Sequence, residues 1–351
     1  MLKAFRNELR YILRHKEYLA LLTLLPILSL LFFYLFFRNT AIEKLPIAVV
    51  DNDKSIISSK VVEMINATAS ISVAYIALDS AEAKQLIRTG KAYAAVIIPH
   101  DFERNILRQQ PCEVVLYNNG TNISTNGFIE KDIQTIVTTF GAAISLKRGQ
   151  SLAQILPINI EQHVLFNPTL NYVVYLAPCF MPMMIMIFTI LGSIMATAER
   201  KYKGIKTLIG RALPTTLSMT IFALIMLLVL FKPLGVPLNG SIWIILAATT
   251  LLIIDYQAIA ITLSLLTNNR HLAMSLGGGY AVLAFTFSGL TFPTMAMMPI
   301  LQLLSHLFPF TYYMKIIIEQ ALRGVPVAIS LTSLGYMTLF TLAPILIRKR
   351  L

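Results

Sequence analysis

YLALLTLLPILSLLFFYLFF, Tyr18 to Phe37, carries no charged side chain and is closed by Arg38. A helix needs about 20 mostly apolar residues to cross a bilayer, and this run has that length. A secretory signal peptide has a shorter apolar core and a small-residue cleavage site. This stretch is Leu- and Phe-rich and lacks an Ala-x-Ala site, so it reads as a retained anchor. On its C-terminal side, residues 38–168 are mostly water-compatible. Five further apolar stretches then crowd the remainder, at roughly 170–196, 213–232, 241–266, 272–291 and 329–347. The layout is one anchor, one large segment outside the membrane, and a helical bundle.

Composition supports that reading. The chain has 351 residues, of which 56% are hydrophobic and 13% charged, with a mean hydropathy of +0.70. Soluble domains are nearer 25% charged. The expected fold class is therefore an α-helical membrane protein with six transmembrane helices in a one-plus-five order. An α/β domain is inserted between helices 1 and 2. The expected divisions are 1–17, an amphipathic helix; 18–37, the first span; 38–168, the inserted domain; and 169–351, the five-helix bundle.

The formal charge of +12 is placed unevenly. Residues 38–168 hold 12 Lys/Arg and 12 Asp/Glu, so that segment is neutral. The excess lies at the membrane ends. Lys3, Arg6, Arg10, Arg14 and Lys16 precede the first stretch. Arg200, Lys201, Lys203, Lys206 and Arg211 lie between the second and third, Arg270 between the fourth and fifth, and Arg348, Lys349 and Arg350 at the tail. With six spans all four groups share one side. The opposite short connections carry only Lys232, Lys315 and Arg323. Basic residues collect on the cytoplasmic side, so both termini are expected there and residues 38–168 outside. A nucleic-acid binder needs a basic face on a soluble domain, and none is visible.

Within residues 2–13, Leu2, Phe5, Leu9, Ile12 and Leu13 recur at helical spacing among Lys3, Arg6, Arg10 and Arg14. That pattern predicts an interfacial amphipathic helix; a plain basic anchor is the alternative. In the inserted segment, β-type runs at Pro46–Val50, Ile71–Ile76, Ala92–Ile98 and Glu113–Tyr117 alternate with helical runs at Ser55–Ala67, Ser80–Arg88 and Asp101–Leu107. Alternation of this kind predicts a small α/β layer domain. Ser80 is a candidate N-cap and Gly90 a helix stop. Residues 123–150 read as a longer helix. Asp51-Asn52-Asp53 is a polar strand-to-helix turn, since a calcium loop needs more oxygen ligands at set positions.

The bundle has two irregular places. Asp255 lies mid-span in Leu252-Ile253-Ile254-Asp255-Tyr256-Gln257. A charge there costs roughly 2.5–3.5 kcal/mol on insertion scales. It marks a substrate path or a hydrogen-bonded helix contact with Tyr256 or Gln257 nearby, and the sequence leaves both open. Between the last two stretches, Phe292-Pro293, Met298-Pro299 and Phe308-Pro309 prevent one continuous helix. The pieces stay apolar and predict two short helices, near 297–307 and 311–323, re-entering the membrane or lying on its surface. Irregular backbone at membrane depth must be buried in protein or line a cavity. Phe292, Pro293, Met298, Pro299, Pro309 and Asp255 are the candidate path or gate residues. Met183, Met184, Met186, Met295, Met297 and Met298 suit a flexible apolar lining better than a soft-metal path. Cys112 and Cys179 are isolated and make no zinc site. His15, His100, His163, His271 and His306 are scattered, so no catalytic, metal or cofactor-binding site is expected.

Four stretches resemble one family. Residues 8–17, with Glu8, Arg10, Arg14, Lys16 and Glu17, resemble the elbow helix of type-2 ABC exporter permeases with a large extracytoplasmic domain. Glu199-Arg200-Lys201-Tyr202-Lys203-Gly204 resembles that family's Glu-Arg-x-x-Gly-Thr segment, with Ile205 where Thr is usual. Phe166-Asn167-Pro168 resembles its approach to the second span, and residues 288–324 its last extracellular segment. The resemblance implies export driven by a separate ABC ATPase subunit that binds the ATP and Mg. It implies docking near Arg10, Arg14, Lys16, Glu17, Glu199, Arg200, Lys203 and Gly204, and a second permease copy or paralogue as dimer partner. A periplasmic adaptor, an outer-membrane channel and membrane lipids complete the expected partners, in a bacterial inner membrane. Amphipathic small molecules or lipid-like compounds are the expected cargo. A non-transporting scaffold or receptor is the alternative reading. The chain contains no Gly-x-x-x-x-Gly-Lys-Ser/Thr loop, so it is not expected to hydrolyse ATP itself.

Overall fold

The computed structural model describes residues 1–38, 44–108, 110, 112–119, 123–147, 167, 171–200, 204–267, 269–290 and 292–344. The chain divides into two compact units, Met1–Thr40 with His163–Leu351, and Ala41–Gln162.

The first unit is helical. It begins with α1 (Leu2–Arg14), α2 (Lys16–Leu22) and α3 (Leu24–Arg38). The break between α2 and α3 has a local cause. Pro26 has no N–H for the Leu22 carbonyl and its ring crowds that carbonyl, and Thr23 leaves helical geometry. The Ser218 hydroxyl fills the vacancy, donating to Leu22 O at 2.6 Å.

In the second unit, β1 (Leu45–Asp51), α4 (Ile56–Asn66), β2 (Ile71–Ile76), α5 (Ser80–Arg88), β3 (Ala94–Ile98), α6 (Phe102–Leu107), β4 (Val115–Asn118) and α7 (Ile123–Lys147) alternate. The sheet order is β2-β1-β3-β4. β1 is parallel to β2 and β3, and β4 is antiparallel to β3. Side chains alternate across a strand, so β1 serves two cores. Ile47 and Val49 pack with Val61, Ile65 and Ile129 from α4 and α7. Ala48 and Val50 pack with Ala83 of α5 on the other face. Small residues on that second face let α5 approach closely. Ser55 caps α4 in a reciprocal box with Ser58, each side chain accepting the other's backbone N–H at 3.0 Å. Asp51 accepts from the Asp53 and Lys54 backbones and from the Ser58 hydroxyl, so the acidic turn is consumed by local bonds. The α5 cap differs from expectation: Asp79, not Ser80, accepts the Glu82 N–H, at 2.7 Å. Its carboxylate at N-cap also complements the helix dipole, and Ser80 becomes the first helical residue.

The first unit resumes with α8 (Tyr172–Thr197), α9 (Ile205–Phe231), α10 (Ile242–Thr267) and α11 (Arg270–Thr286). A 3-10 turn (Thr294–Ala296), α12 (Pro299–Ser305) and α13 (Pro309–Ile317) follow. A π-helix (Ile318–Arg323) leads to α14 (Val327–Phe340). Asn171 caps α8 and Asn269 caps α11, each through its side-chain oxygen. Lys16–Arg38, α8, α9 and α10 are long and apolar enough to cross a membrane. The remaining two expected spans coincide with shorter helices, α11 and α14, of 17 and 14 residues. α8 is the central post, packed by α2, α3, α9, α10 and α11. Polar ties register it: Tyr18 donates to Gly192 O at 3.0 Å, and Thr197 to Ser264 at 3.1 Å. Gln257 bridges α10 to α9, donating to Ala212 O and accepting from Thr216, both at 2.9 Å. The expected short helices near 297–307 and 311–323 are seen as α12 and as α13 with its π-helical extension.

Candidate functional site

Two polar constellations sit at different ends of α8. Tyr175, near its start, donates to Leu290 O at 2.6 Å. Arg200 lies just beyond its last residue, Thr197. The 22 helical steps from Tyr175 to Thr197 span roughly 33 Å at the helical rise.

At the Thr197 end, Arg200 fixes α1 to the bundle. Its Nη1 donates to both oxygens of Glu8 at 2.9 and 2.8 Å. Its guanidinium carbon stands 3.7 Å from the centre of the Tyr11 ring, a cation–π contact. Tyr11 in turn stacks on His15. Glu8 is 3% exposed. Burial pushes its carboxyl above the ordinary value. The charge and hydrogen bonds of Arg200 pull the other way without cancelling that cost, with smaller help from Arg211 and His15. Beside this latch, Glu199 adopts positive φ and accepts the Arg270 N–H at 2.9 Å, closing the first turn of α11. Gly210 lets α1 lie close on α9, since a Cβ there would meet Met1 O at 2.6 Å.

Thus the docking candidates divide. Arg10, Arg14, Lys16, Glu17 and Gly204 are exposed. Glu199 is exposed too, though its carboxylate holds the Arg270 N–H, and Arg200 is part-buried and held by Glu8. Lys203 lies outside the described residues. The expected amphipathic face also splits: Ile12 is buried and Phe5 half-buried, whereas Leu2, Leu9 and Leu13 are exposed. Sequence reading missed Glu8 and Tyr11 as a receptor for Arg200. The available signal was Glu8 at four and three residues from the inward-facing Ile12 and Phe5, on the helical face that packs.

At the Tyr175 end, the 3-10 turn, α12, α13, the π-helix and α14 line a half-open cavity of about 580 Å³. Pro293, Gln302, His306, Lys315, Glu319 and Arg323 are among its lining. The walls are braced by direct bonds. Thr311 donates to Ser305 O at 2.8 Å, and Gln302 to Met297 O at 2.9 Å. Ser330 donates to the buried Glu319 carboxylate at 2.7 Å. Gln320 donates to Ser330 and accepts the Ser241 N–H, both at 2.9 Å. Of the candidate path residues, Pro293 lines this cavity. Phe292, Met298 and Pro299 are exposed beside it, and Pro309 is buried at the start of α13. Asp255 stands apart, fully buried in α10, with neither carboxylate oxygen bonded among the described residues. Gln257 is committed to α9 and Tyr256 OH is also unbonded, so neither neighbour satisfies Asp255. Glu319 and Gln320 were legible only as polar residues following Ile316-Ile317-Ile318; their burial depends on α14.

A family profile described as ABC-2 family transporter protein matches residues 16–347. The chain belongs to the ABC-2 transporter family. It is a type-2 ABC permease, as the resemblance of its four stretches implied. Similar proteins include one named probable multidrug ABC transporter permease YbhR from Escherichia coli strain K12. Its counterpart in Escherichia coli O157:H7 is equally similar. Each is 24% identical over 251 residues, which are 68% of this chain; the chain spans 66% of the length of either relative. No solved structure matches the chain. Among the described residues no three His, Cys, Asp or Glu side chains group as a metal site would require.

Proposed function

We propose that this permease is the membrane subunit of an ATP-driven exporter. It moves amphipathic small molecules or lipid-like compounds out of the cytoplasm or the inner leaflet. The family match over residues 16–347 carries the reading. A separate ABC ATPase binds the ATP and Mg, a division that family membership supports. In this reading six helices span the bacterial inner membrane, α11 and α14 included, with both termini cytoplasmic and the α/β unit outside. The asymmetry of Lys and Arg supports that orientation. The ATPase docks against the exposed Arg10, Arg14, Lys16, Glu17 and Gly204. The Glu8–Arg200 latch then carries its motion into α8, a rigid-body coupling of closure to access. Two permease copies, or this chain and a paralogue, line one path. The outer unit meets an adaptor and an outer-membrane channel, or shapes the exit.

The test is purification of the tagged protein in mild detergent with mass spectrometry of what accompanies it. An ABC ATPase at near-stoichiometric amount supports export. Its absence even after cross-linking moves the scaffold reading ahead.

A further inference from the structure

The cavity beside α13 carries charges that its own fold does not balance. Lys315, Glu319 and Arg323 recur every four residues and all three line it. The α-helix ends at Ile317 and the next turn is π-helical. π-helical turns are rare and frequently mark functional sites. Here the wider turn keeps Arg323 on the cavity side with Lys315 and Glu319. Glu319 is held by Ser330 at 2.7 Å and faces Lys315 at 4.0 Å. Arg323 is exposed at the cavity mouth and makes no hydrogen bond or ion pair among the described residues. The lining charges therefore sum to one positive. His306 adds a ring nitrogen 3.2 Å from Tyr312 OH, and Gln302, Thr311 and Ser333 add polar atoms. The volume suits a small ligand or headgroup, since ligand pockets run about 300–1,000 Å³. Met295 lines the cavity and is exposed, and its neighbours in the chain Phe292, Met298, Ile300 and Leu303 are exposed apolar side chains as well.

We infer that this cavity binds the singly charged phosphodiester of an anionic membrane lipid. Arg323 and Lys315 grip the phosphate, and the acyl chains lie along these exposed apolar side chains. An arginine fork matches phosphate geometry. Glu319 neutralises one of the two cations, so a net charge of minus one is the complement. A phosphatidylglycerol headgroup satisfies that balance and a zwitterionic phosphatidylethanolamine does not. The inference rests on the bundle's residing in a membrane and is independent of ATP-driven export.

The experiment is native mass spectrometry of the purified full chain, titrated with phosphatidylglycerol, phosphatidylethanolamine or inorganic phosphate. Phosphatidylglycerol is expected to be retained about tenfold more tightly than phosphatidylethanolamine, about 1.4 kcal/mol. Arg323→Gln and Lys315→Gln each lose about that factor, and Arg323→Lys keeps more than Arg323→Gln. Lys232→Gln, at an exposed cation outside the cavity, stays at the wild-type value. Equal retention of the two lipids overturns the charge argument. Wild-type retention by Arg323→Gln, or equal loss by Lys232→Gln, overturns the site. Displacement of the lipid by inorganic phosphate alone overturns the lipid as source. No ATPase takes part, so failure here leaves the export reading untouched.

Discussion

Replacing Arg200 with Ala tests whether one ion pair holds α1 on the bundle. Glu8 is 3% exposed, and the Arg200 side chain is 20% exposed. Removing one partner of a buried pair costs about 3–5 kcal/mol, because the other charge stays buried. Partial exposure of Arg200 argues for the lower end. The lost contact with Tyr11 adds about 0.5–1 kcal/mol. Glu8 limits the damage by taking a proton, which costs about 1.4 kcal/mol per pH unit between its pKa and the medium. Since burial has already raised that pKa, the expected net loss is about 3 kcal/mol. Local opening of α1 should then rise by roughly two decades. Hydrogen exchange of α1 peptides in detergent reads this directly. Glu8→Gln keeps an acceptor without a buried charge and should cost about 1 kcal/mol. The double variant should fall short of the sum, as coupled neighbours do. Unchanged α1 exchange in Arg200→Ala refutes the latch.

The same carboxyl sets a pH dependence. Its folded pKa is raised, so the folded state holds the proton more tightly than the unfolded chain. Its stabilising contribution is full below the ordinary glutamate value of about 4.3. The contribution is lost as pH rises through the raised folded value. Acidifying from neutrality should slow α1 exchange, after correction for intrinsic rates, and more so in Arg200→Ala. Gly240→Ala should destabilise by about 1–3 kcal/mol, because its Cβ meets Gln320 Oε1 at 2.5 Å and Gln320 O at 2.8 Å. A thermal midpoint within about a degree of wild type contradicts that. Ser330→Ala strips a bond from Glu319 and another from Gln320 in a fully buried place. It should cost about 1–3 kcal/mol, read from the same thermal scan. Asp255→Asn should express and fold normally while export falls; unchanged export dismisses a path role for Asp255.

Membrane class and the order of apolar stretches were legible because they depend on one-dimensional quantities. Run length against bilayer thickness picked out the four long spans. Runs rich in β-formers located the four described strands within two residues at either end. Prolines at 293, 299 and 309 marked breaks wherever their missing N–H would have been needed. Local capping was nearly legible, and the shift from Ser80 to Asp79 shows the margin: two adjacent residues both cap well, and backbone geometry selects between them. Pairings across long sequence distance were not legible. Arg200 reads as an exposed docking cation among basic neighbours, yet it finds Glu8 and Tyr11 192 and 189 residues away. Ser218 answers the carbonyl that Pro26 frees on another helix. The cavity exists only because α14 folds back on α13 and a π-turn keeps Arg323 on the same wall. Hydrophobicity and propensity are properties of a residue and its near neighbours. Buried charge and cavity shape depend on which helix faces arrive together, and tertiary packing decides that.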